Sequence, residues 1–267
     1  MSLDAKPALA LQDVSKSFAG FRAVEDVSFS VAQGAIVALI GPNGAGKTTT
    51  FNLINGQLRP DRGRVMVGGD DMTGRGPKAL WHHGVARTFQ ITATFSSMTV
   101  AENIAVALLP VAASPWSARR MPTRDDKRVH SLARDVGLTN LMDRVAGTLA
   151  YGDLKRVELA IALASEPRLL LMDEPTAGMA AAEREALMAL AVGAARERKA
   201  AILFTEHDMG VVFRHAERVI VMSAGRVIAE GAPDHIREHP AVREVYLGRT
   251  KAPRNASHQT GTEPRQP

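Results

Sequence analysis

Short runs of apolar residues punctuate this chain at regular intervals, and their spacing changes along its length. Ala8 to Ser17 and Ala23 to Val31 alternate partially between apolar and polar positions and read as two strands joined by a turn at Ala19-Gly20. Ala35 to Ile40 is continuously apolar and reads as a buried strand. Lys47 to Asn55 reads as a helix. Arg64 to Val67, ended by Gly68-Gly69, and Val85 to Phe89 are further strands. From Ile91 to Ala164 the period becomes helical, with helices over Thr99–Leu109, Asp125–Val136 and Asp153–Ala164 and a Pro-, Ser- and Arg-containing loop from Pro110 to Thr123. Alternation then resumes: strand Arg168–Met172, helix Ala180–Arg198, strand Ala200–Thr205, short helix Asp208–His215, and a hairpin of Arg218–Met222 and Arg226–Ala229 around Ala224-Gly225. Strands alternating with helices predict an α/β fold with a mostly parallel sheet, and the helical block looks inserted into it. No internal repeat is visible. The residues after Gly248, rich in Pro, Thr, Gln and Asn, read as a disordered tail over 249–267.

Composition narrows the classes. The chain has 267 residues and 45% hydrophobic content, enough for one large domain with a real core. It has no cysteine, so neither disulfides nor thiolate chemistry enter, which suits a reducing compartment. The net charge is +5, of which the tail contributes Lys251, Arg254 and Arg265 against Glu263. That is too mild to argue for nucleic acid, and aromatics at 4% offer few stacking platforms for bases. A bilayer span takes about 20 apolar residues. The longest central stretch, Asn103 to Ala113, is short and broken by Pro110, and the first seven residues lack the apolar core of a signal peptide. The expectation is a chain soluble by itself.

The chemistry begins at Gly41-Pro42-Asn43-Gly44-Ala45-Gly46-Lys47-Thr48, which fits G-x-x-x-x-G-K-[ST]. Glycines let the backbone curl so that consecutive N–H groups point at a phosphate chain, and the following helix start adds its positive end. Lys47 supplies a cation for the β- and γ-phosphates, and the Thr48 hydroxyl is placed to ligate Mg²⁺; Thr49 continues the anion-facing helix start. Leu169 to Met172 is an apolar strand that ends in Asp173-Glu174. Ligands of such sheets sit at the carboxyl ends of strands. Asp173 is therefore a candidate to hold Mg²⁺ through its water shell, and Glu174 to polarise an attacking water as general base.

Three further positions carry two readings each. Gln90 at a strand end can touch Mg²⁺ or the attacking water, or be a plain surface amide. His207, just after the strand Ala201–Thr205, can hydrogen-bond a γ-phosphate or be structural. Leu149-Ala150-Tyr151-Gly152-Asp153, ahead of a long helix, can present N–H donors to an anion or be an ordinary glycine turn.

Taken together these residues resemble the ATP-binding cassette family over residues 8 to 248, one domain with a helical insertion at about 91–164. The resemblance implies a P-loop ATPase core, with an antiparallel β subdomain beside the mostly parallel sheet and an α-helical subdomain inserted into it. The glycine loop and Asp173-Glu174 look like that family's Walker A and Walker B motifs, Leu149 to Asp153 like its signature, and Gln90 and His207 like its Q-loop and switch histidine. Phe18 falls where the family stacks an aromatic ring on adenine.

The segments Ala86-Arg87-Thr88-Phe89-Gln90, Met98 to Asn103, Leu149-Ala150-Tyr151-Gly152, Asp173 to Met179, Thr205 to Met209 and Val245-Tyr246-Leu247-Gly248 look more narrowly like branched-chain amino acid importer ATPases. Lipopolysaccharide-export and urea-import ATPases share several of them. The chain departs from the common Leu-Ser-Gly-Gly-Gln signature at Ala150, Tyr151 and Asp153, so a γ-phosphate there would rest more on backbone N–H groups around Gly152. Ala180 stands where Asp or Asn is usual, which removes the side chain that makes a cross-dimer contact. Ile91 to Phe95 also differs from the importer pattern.

The resemblance implies ATP and Mg²⁺ as ligands and a second ATPase subunit, identical or paralogous, meeting this one head to tail. It also implies separate transmembrane permease chains, reached through a cleft beside Gln90 and the Thr99–Leu109 helix. A periplasmic substrate-binding protein follows indirectly, and the place is the cytoplasmic face of a bacterial inner membrane. Two other classes compete. A non-transport cassette acting on DNA or ribosomes would show salt-dependent nucleic-acid binding. A P-loop kinase or switch would transfer phosphate to a small molecule and leaves the signature helix and His207 unexplained.

Overall fold

The computed structural model describes residues 6–88, 94–109 and 124–247. The chain opens with an antiparallel pair, β1 (Leu9–Phe18) and β2 (Phe21–Val31), turned at Ala19-Gly20 through two residues of positive φ. β3 (Ile36–Ile40) leads through the glycine loop into α1 (Lys47–Ile54). β4 (Arg62–Val67) and the short β5 (Asp70–Asp71) follow, then α2 (Pro77–His82) and β6 (Val85–Thr88). The helical block holds α3 (Val100–Ala107), α4 (Lys127–Asp135) and α5 (Tyr151–Leu163). β7 (Leu169–Asp173), α6 (Ala181–Arg198), β8 (Ala201–Thr205) and α7 (Met209–His215) restore the alternation. The hairpin β9 (Arg218–Ser223) and β10 (Arg226–Gly231) precedes α8 (Pro233–Glu238) and α9 (Pro240–Leu247).

Two sheets result, as the resemblance implied. The central one runs β10-β9-β3-β8-β7-β6, parallel except at the β9–β10 hairpin. The other is antiparallel, β2-β1-β4-β5. Every residue of β3, β7 and β8 is buried, because a parallel sheet is covered on both faces. The side-chain period of two splits each strand between two cores. Ile36, Ala38, Ile40, Leu170, Met172, Ile202 and Phe204 face the core shared with α3–α7. Val37, Leu39, Leu169, Leu171, Ala201 and Leu203 face the core built on α1 and the antiparallel sheet.

Three helices fall where the sequence pattern shows none: α2, α8 and α9 are short, each opened by a proline at its first position, and too brief to carry a visible period. The last helix of the inserted block begins at Tyr151, two residues earlier than the sequence predicts, so Gly152 and Asp153 lie inside its first turn. First-turn N–H groups have no intrahelical partner, so a glycine costs little there. α3 starts at a complete capping box: Thr99 Oγ1 accepts from Glu102 N at 3.2 Å, and Glu102 accepts from Thr99 N at 2.7 Å. The predicted tail, the Pro110–Thr123 loop and Gln90 lie outside the described residues.

Candidate functional site

The glycine loop leaves the carboxyl end of β3, in the middle of the central sheet, and turns into α1. Two of its glycines are there because nothing else fits. A Cβ at Gly41 would stand 2.3 Å from the Met222 carbonyl oxygen, and one at Gly46 2.5 Å from that of Ala23, where φ is +99°. A Cβ at Gly44 would meet nothing within 4 Å, and Asn43 and Gly44 are exposed, so the loop's outer side is open. Lys47 is 7% exposed and folds back across the loop, donating to the carbonyls of Gly41 at 2.7 Å and Pro42 at 3.2 Å. Burial pushes its ammonium below the usual lysine range, while the carboxylates of Glu174 and Asp173 pull it back up. Thr48 is exposed beside it, Thr49 half-buried, and Thr50 is used internally, donating to Gly46 O at 2.9 Å.

β7 and β8 deliver the other groups at the same sheet end. Asp173 is buried and has both oxygens engaged: one accepts from Thr205 Oγ1 at 2.7 Å, the other from Arg87 Nη2 at 2.9 Å. Glu174 adopts a φ of +49°, rare for a residue with a side chain. Its N–H is held by Thr205 Oγ1 at 3.0 Å and by the Thr205 carbonyl at 3.2 Å. The turn swings the Glu174 carboxylate onto His207, with Oε1 and Nε2 2.8 Å apart. The structure thus joins two residues that the sequence separates by a helix and a strand. Glu206, between strand and histidine, is buried and accepts from Thr176 N at 2.9 Å, Thr176 Oγ1 at 2.6 Å and His207 N at 3.2 Å. Asp208 caps α7, accepting from Gly210 N at 2.8 Å, and pairs with Arg184 at 2.5 Å. Arg184 also donates to Met179 O at 2.8 Å, tying α7 to the loop after β7.

The remaining predicted positions stand apart from this cluster. Ala150 is the N-cap of α5 and offers no side-chain acceptor, so the first-turn N–H groups of Tyr151, Gly152 and Asp153 carry no side-chain cap. Tyr151 is exposed, Gly152 buried near Glu183 and Met179, and Asp153 faces Arg156 at 3.5 Å. Leu149 packs at the edge of the core. Phe18 is 43% exposed at the end of β1, opposite Phe21, with the Lys16 ammonium 5.7 Å from its ring centroid. β2 reaches the loop through Ala23, next to Gly46. A cavity of about 330 Å³ lies beside β6, between the C-terminal end of α1 and α2, with Gln57, Pro77, Trp81 and Arg87 in its wall.

Sequence reasoning missed Arg87, Thr176, Thr205, Glu206 and Asn103 as individuals. Arg87 and Glu206 had a signal: charges within or directly after an otherwise buried strand require partners. Asn103 had none; it is 1% exposed and its amide clasps the backbone of Phe95, accepting from N at 2.8 Å and donating to O at 3.1 Å.

A glycine loop at the end of a central parallel strand, opening a helix beside a neighbouring strand that ends in two carboxylates, defines a P-loop nucleotide-binding α/β protein. Comparison with known proteins carries this further. The sequence profile described as ABC transporter matches residues 24–177, and one described as branched-chain amino acid ATP-binding cassette transporter matches residues 226–252. The chain is 35% identical over 252 residues to the high-affinity branched-chain amino acid transport ATP-binding protein BraF of Pseudomonas aeruginosa, covering 91% of this chain and 98% of that protein. It is 35% identical over 251 residues to the corresponding protein LivG of Escherichia coli K12, covering 91% and 98%. A crystal structure of the ADP conformation of an ATP-binding cassette of an ABC transporter superposes with a TM-score of 0.80 at 33% identity, covering 91% of this chain and 99% of that one. The chain belongs to the ABC transporter family. Its reaction is ATP hydrolysis coupled to transport.

Proposed function

We propose that this chain is the ATP-hydrolysing subunit of an importer for branched-chain or related amino acids, working on separate permease chains at the cytoplasmic face of the membrane. The observation that carries the catalytic part is the Glu174–His207 pair at 2.8 Å, set at the same sheet end as Lys47 and Asp173. The solute class is supported by the relatives' names and by the match at residues 226–252. No described helix is long and apolar enough to cross a membrane, in keeping with permeases as separate chains.

In this reading the Gly41–Thr49 backbone and Lys47 hold the phosphate chain, and Phe18 stacks on the base. Glu174 takes the proton of the attacking water; His207 holds that carboxylate in place and reaches the γ-phosphate. The donors fit Mg²⁺: a hard carboxylate at Asp173 and a hydroxyl at Thr48, with Gln90 as a further oxygen. Among the described residues no group of three or more His, Cys, Asp or Glu gathers round a metal position. That suits an ion held mostly by phosphate and water, with one or two protein oxygens. When bound, Mg²⁺ neutralises charge developing on the transferred phosphoryl group.

The signature residues Leu149 to Asp153 serve the nucleotide of a second cassette, identical or paralogous, through the uncapped N–H groups of the first turn of α5. ATP then closes the pair and hydrolysis releases it, which moves the permease between states for which the open and closed pair have different affinities. A periplasmic binding protein delivers the solute. The test is Glu174→Gln. It retains ATP binding, loses turnover and accumulates an ATP-bound dimer on gel filtration; a monomer with normal turnover rejects the assignment. Uptake of labelled leucine by vesicles holding the chain with its permease tests the solute class, and energised vesicles that exclude it overturn that part.

A further inference from the structure

Asp173 is not a free carboxylate waiting for a cation. It is 4% exposed at its side chain and already faces the Arg87 guanidinium, itself 12% exposed. Arg87 is in turn anchored from behind. Its Nη1 donates to Asn52 Oδ1 on α1 at 2.8 Å and to Gln57 Oε1 just after α1 at 3.2 Å, while Nη2 donates to Asp173 Oδ2 at 2.9 Å. One planar fork therefore spans α1, β6 and β7. Gln57 and Arg87 also form part of the wall of the cavity beside β6.

We propose that Arg87 is a positioning residue, the resident counter-charge of Asp173, and that it sets how strongly that carboxylate serves a divalent cation. This rests on the reading of Asp173 as the Mg²⁺-side carboxylate. A fixed cation against Oδ2 offsets much of the charge that Asp173 presents to a second cation, while it keeps the buried carboxylate oriented. The amides of Asn52 and Gln57 share the same guanidinium, so any contact that draws Arg87 toward the cavity returns negative charge to Asp173. Metal affinity at the sheet end is thereby linked to the cavity wall by one side chain.

The measurement is the dissociation constant of a fluorescent ATP analogue on the purified full chain, once with Mg²⁺ and once in chelator; the chelator value divided by the Mg²⁺ value reports the metal's contribution to binding. Removing a neighbouring opposite charge changes such equilibria by about five-fold or more. Arg87→Gln should raise the ratio by about that factor, because the freed carboxylate repels metal-free nucleotide and favours the metal complex. Arg87→Lys, which keeps the charge but not the fork, should stay within about two-fold of the wild type. Gln57→Glu, an exposed change that pulls the guanidinium from the other side, should raise the ratio about two-fold or more. It decides the matter should Arg87→Gln not fold. An unchanged ratio in Arg87→Gln or Gln57→Glu, or a Lys variant that matches the Gln variant, overturns the proposal. A wild-type chain that ignores nucleotide removes the nucleotide reading itself, and one that binds it equally with and without Mg²⁺ removes the reading of Asp173 as the Mg²⁺-side carboxylate.

Discussion

Glu206 carries a buried carboxylate that faces three donors, and its replacement tests how the site is held together. One oxygen takes both the N–H and the hydroxyl of Thr176, and the other takes the N–H of His207. Both residues are buried, Glu206 at 5% and Thr176 at 2% exposure, so water does not replace a lost partner. Hydrogen bonds to a charged group contribute about 1.5–3 kcal/mol each. Glu206→Gln makes the surviving bonds neutral, which about halves them, and turns one end of the group from acceptor to donor against an N–H. The expected loss is about 2–3 kcal/mol, or roughly 5–10 °C in melting temperature for a domain of this size. Thr176→Val keeps the shape and removes the hydroxyl, at about 1.5–2 kcal/mol. The two changes break one shared contact, so the double variant should fall short of their sum by about 1 kcal/mol or more. Urea titration of the four proteins gives the cycle. ATPase assays should show turnover falling with ATP affinity retained, because Glu206 holds the backbone that carries His207 and is not placed at the phosphate loop. Additive losses, or a Glu206→Gln cost below about 0.5 kcal/mol, refute the reasoning.

Two other expectations follow from the same geometry. Burial lowers the Lys47 pKa, so the unfolded chain binds more protons than the folded one between the folded-state pKa and the ordinary lysine value; the Lys47 contribution to stability therefore rises with pH through that alkaline window, and Lys47→Met should flatten the rise relative to wild type in urea titrations. A curve parallel to wild type would count against it. Thr99→Ala removes the capping box of α3 and should cost about 1 kcal/mol, read by denaturant midpoint, with no change in ATP affinity.

The fold was legible wherever one period ran long enough to be seen. The buried strands β3, β7 and β8 and the long helices stand close to their predicted ranges. The short helices α2, α8 and α9 escaped because their few residues leave tertiary packing to decide. The glycine loop and the Asp173-Glu174 strand end were legible because their chemistry is contiguous in sequence. What holds them was not. Arg87 and Asp173 lie 86 residues apart, and Glu206 and Thr176 lie 30 apart. A local pattern says that such charges need partners but does not say which ones.

The pair Asp173-Glu174 shows what the third dimension adds. Two neighbouring carboxylates at one strand end are chemically alike, and strand geometry alone would send them to opposite faces of the sheet. The left-handed φ of Glu174 does the sorting instead. Such a conformation costs about 1–3 kcal/mol and persists only where its surroundings fix it. Here Thr205 does so, since its hydroxyl and carbonyl both take the Glu174 N–H while the hydroxyl donates to Asp173. Asp173 thus stays buried against a guanidinium, as a fixed charge suited to an ion. Glu174 is turned out to an imidazole at partial exposure, the setting in which the proposed reading has it take the proton of a water. The different placement of the two carboxylates is therefore set by a threonine one strand away, at a position that carries no charge.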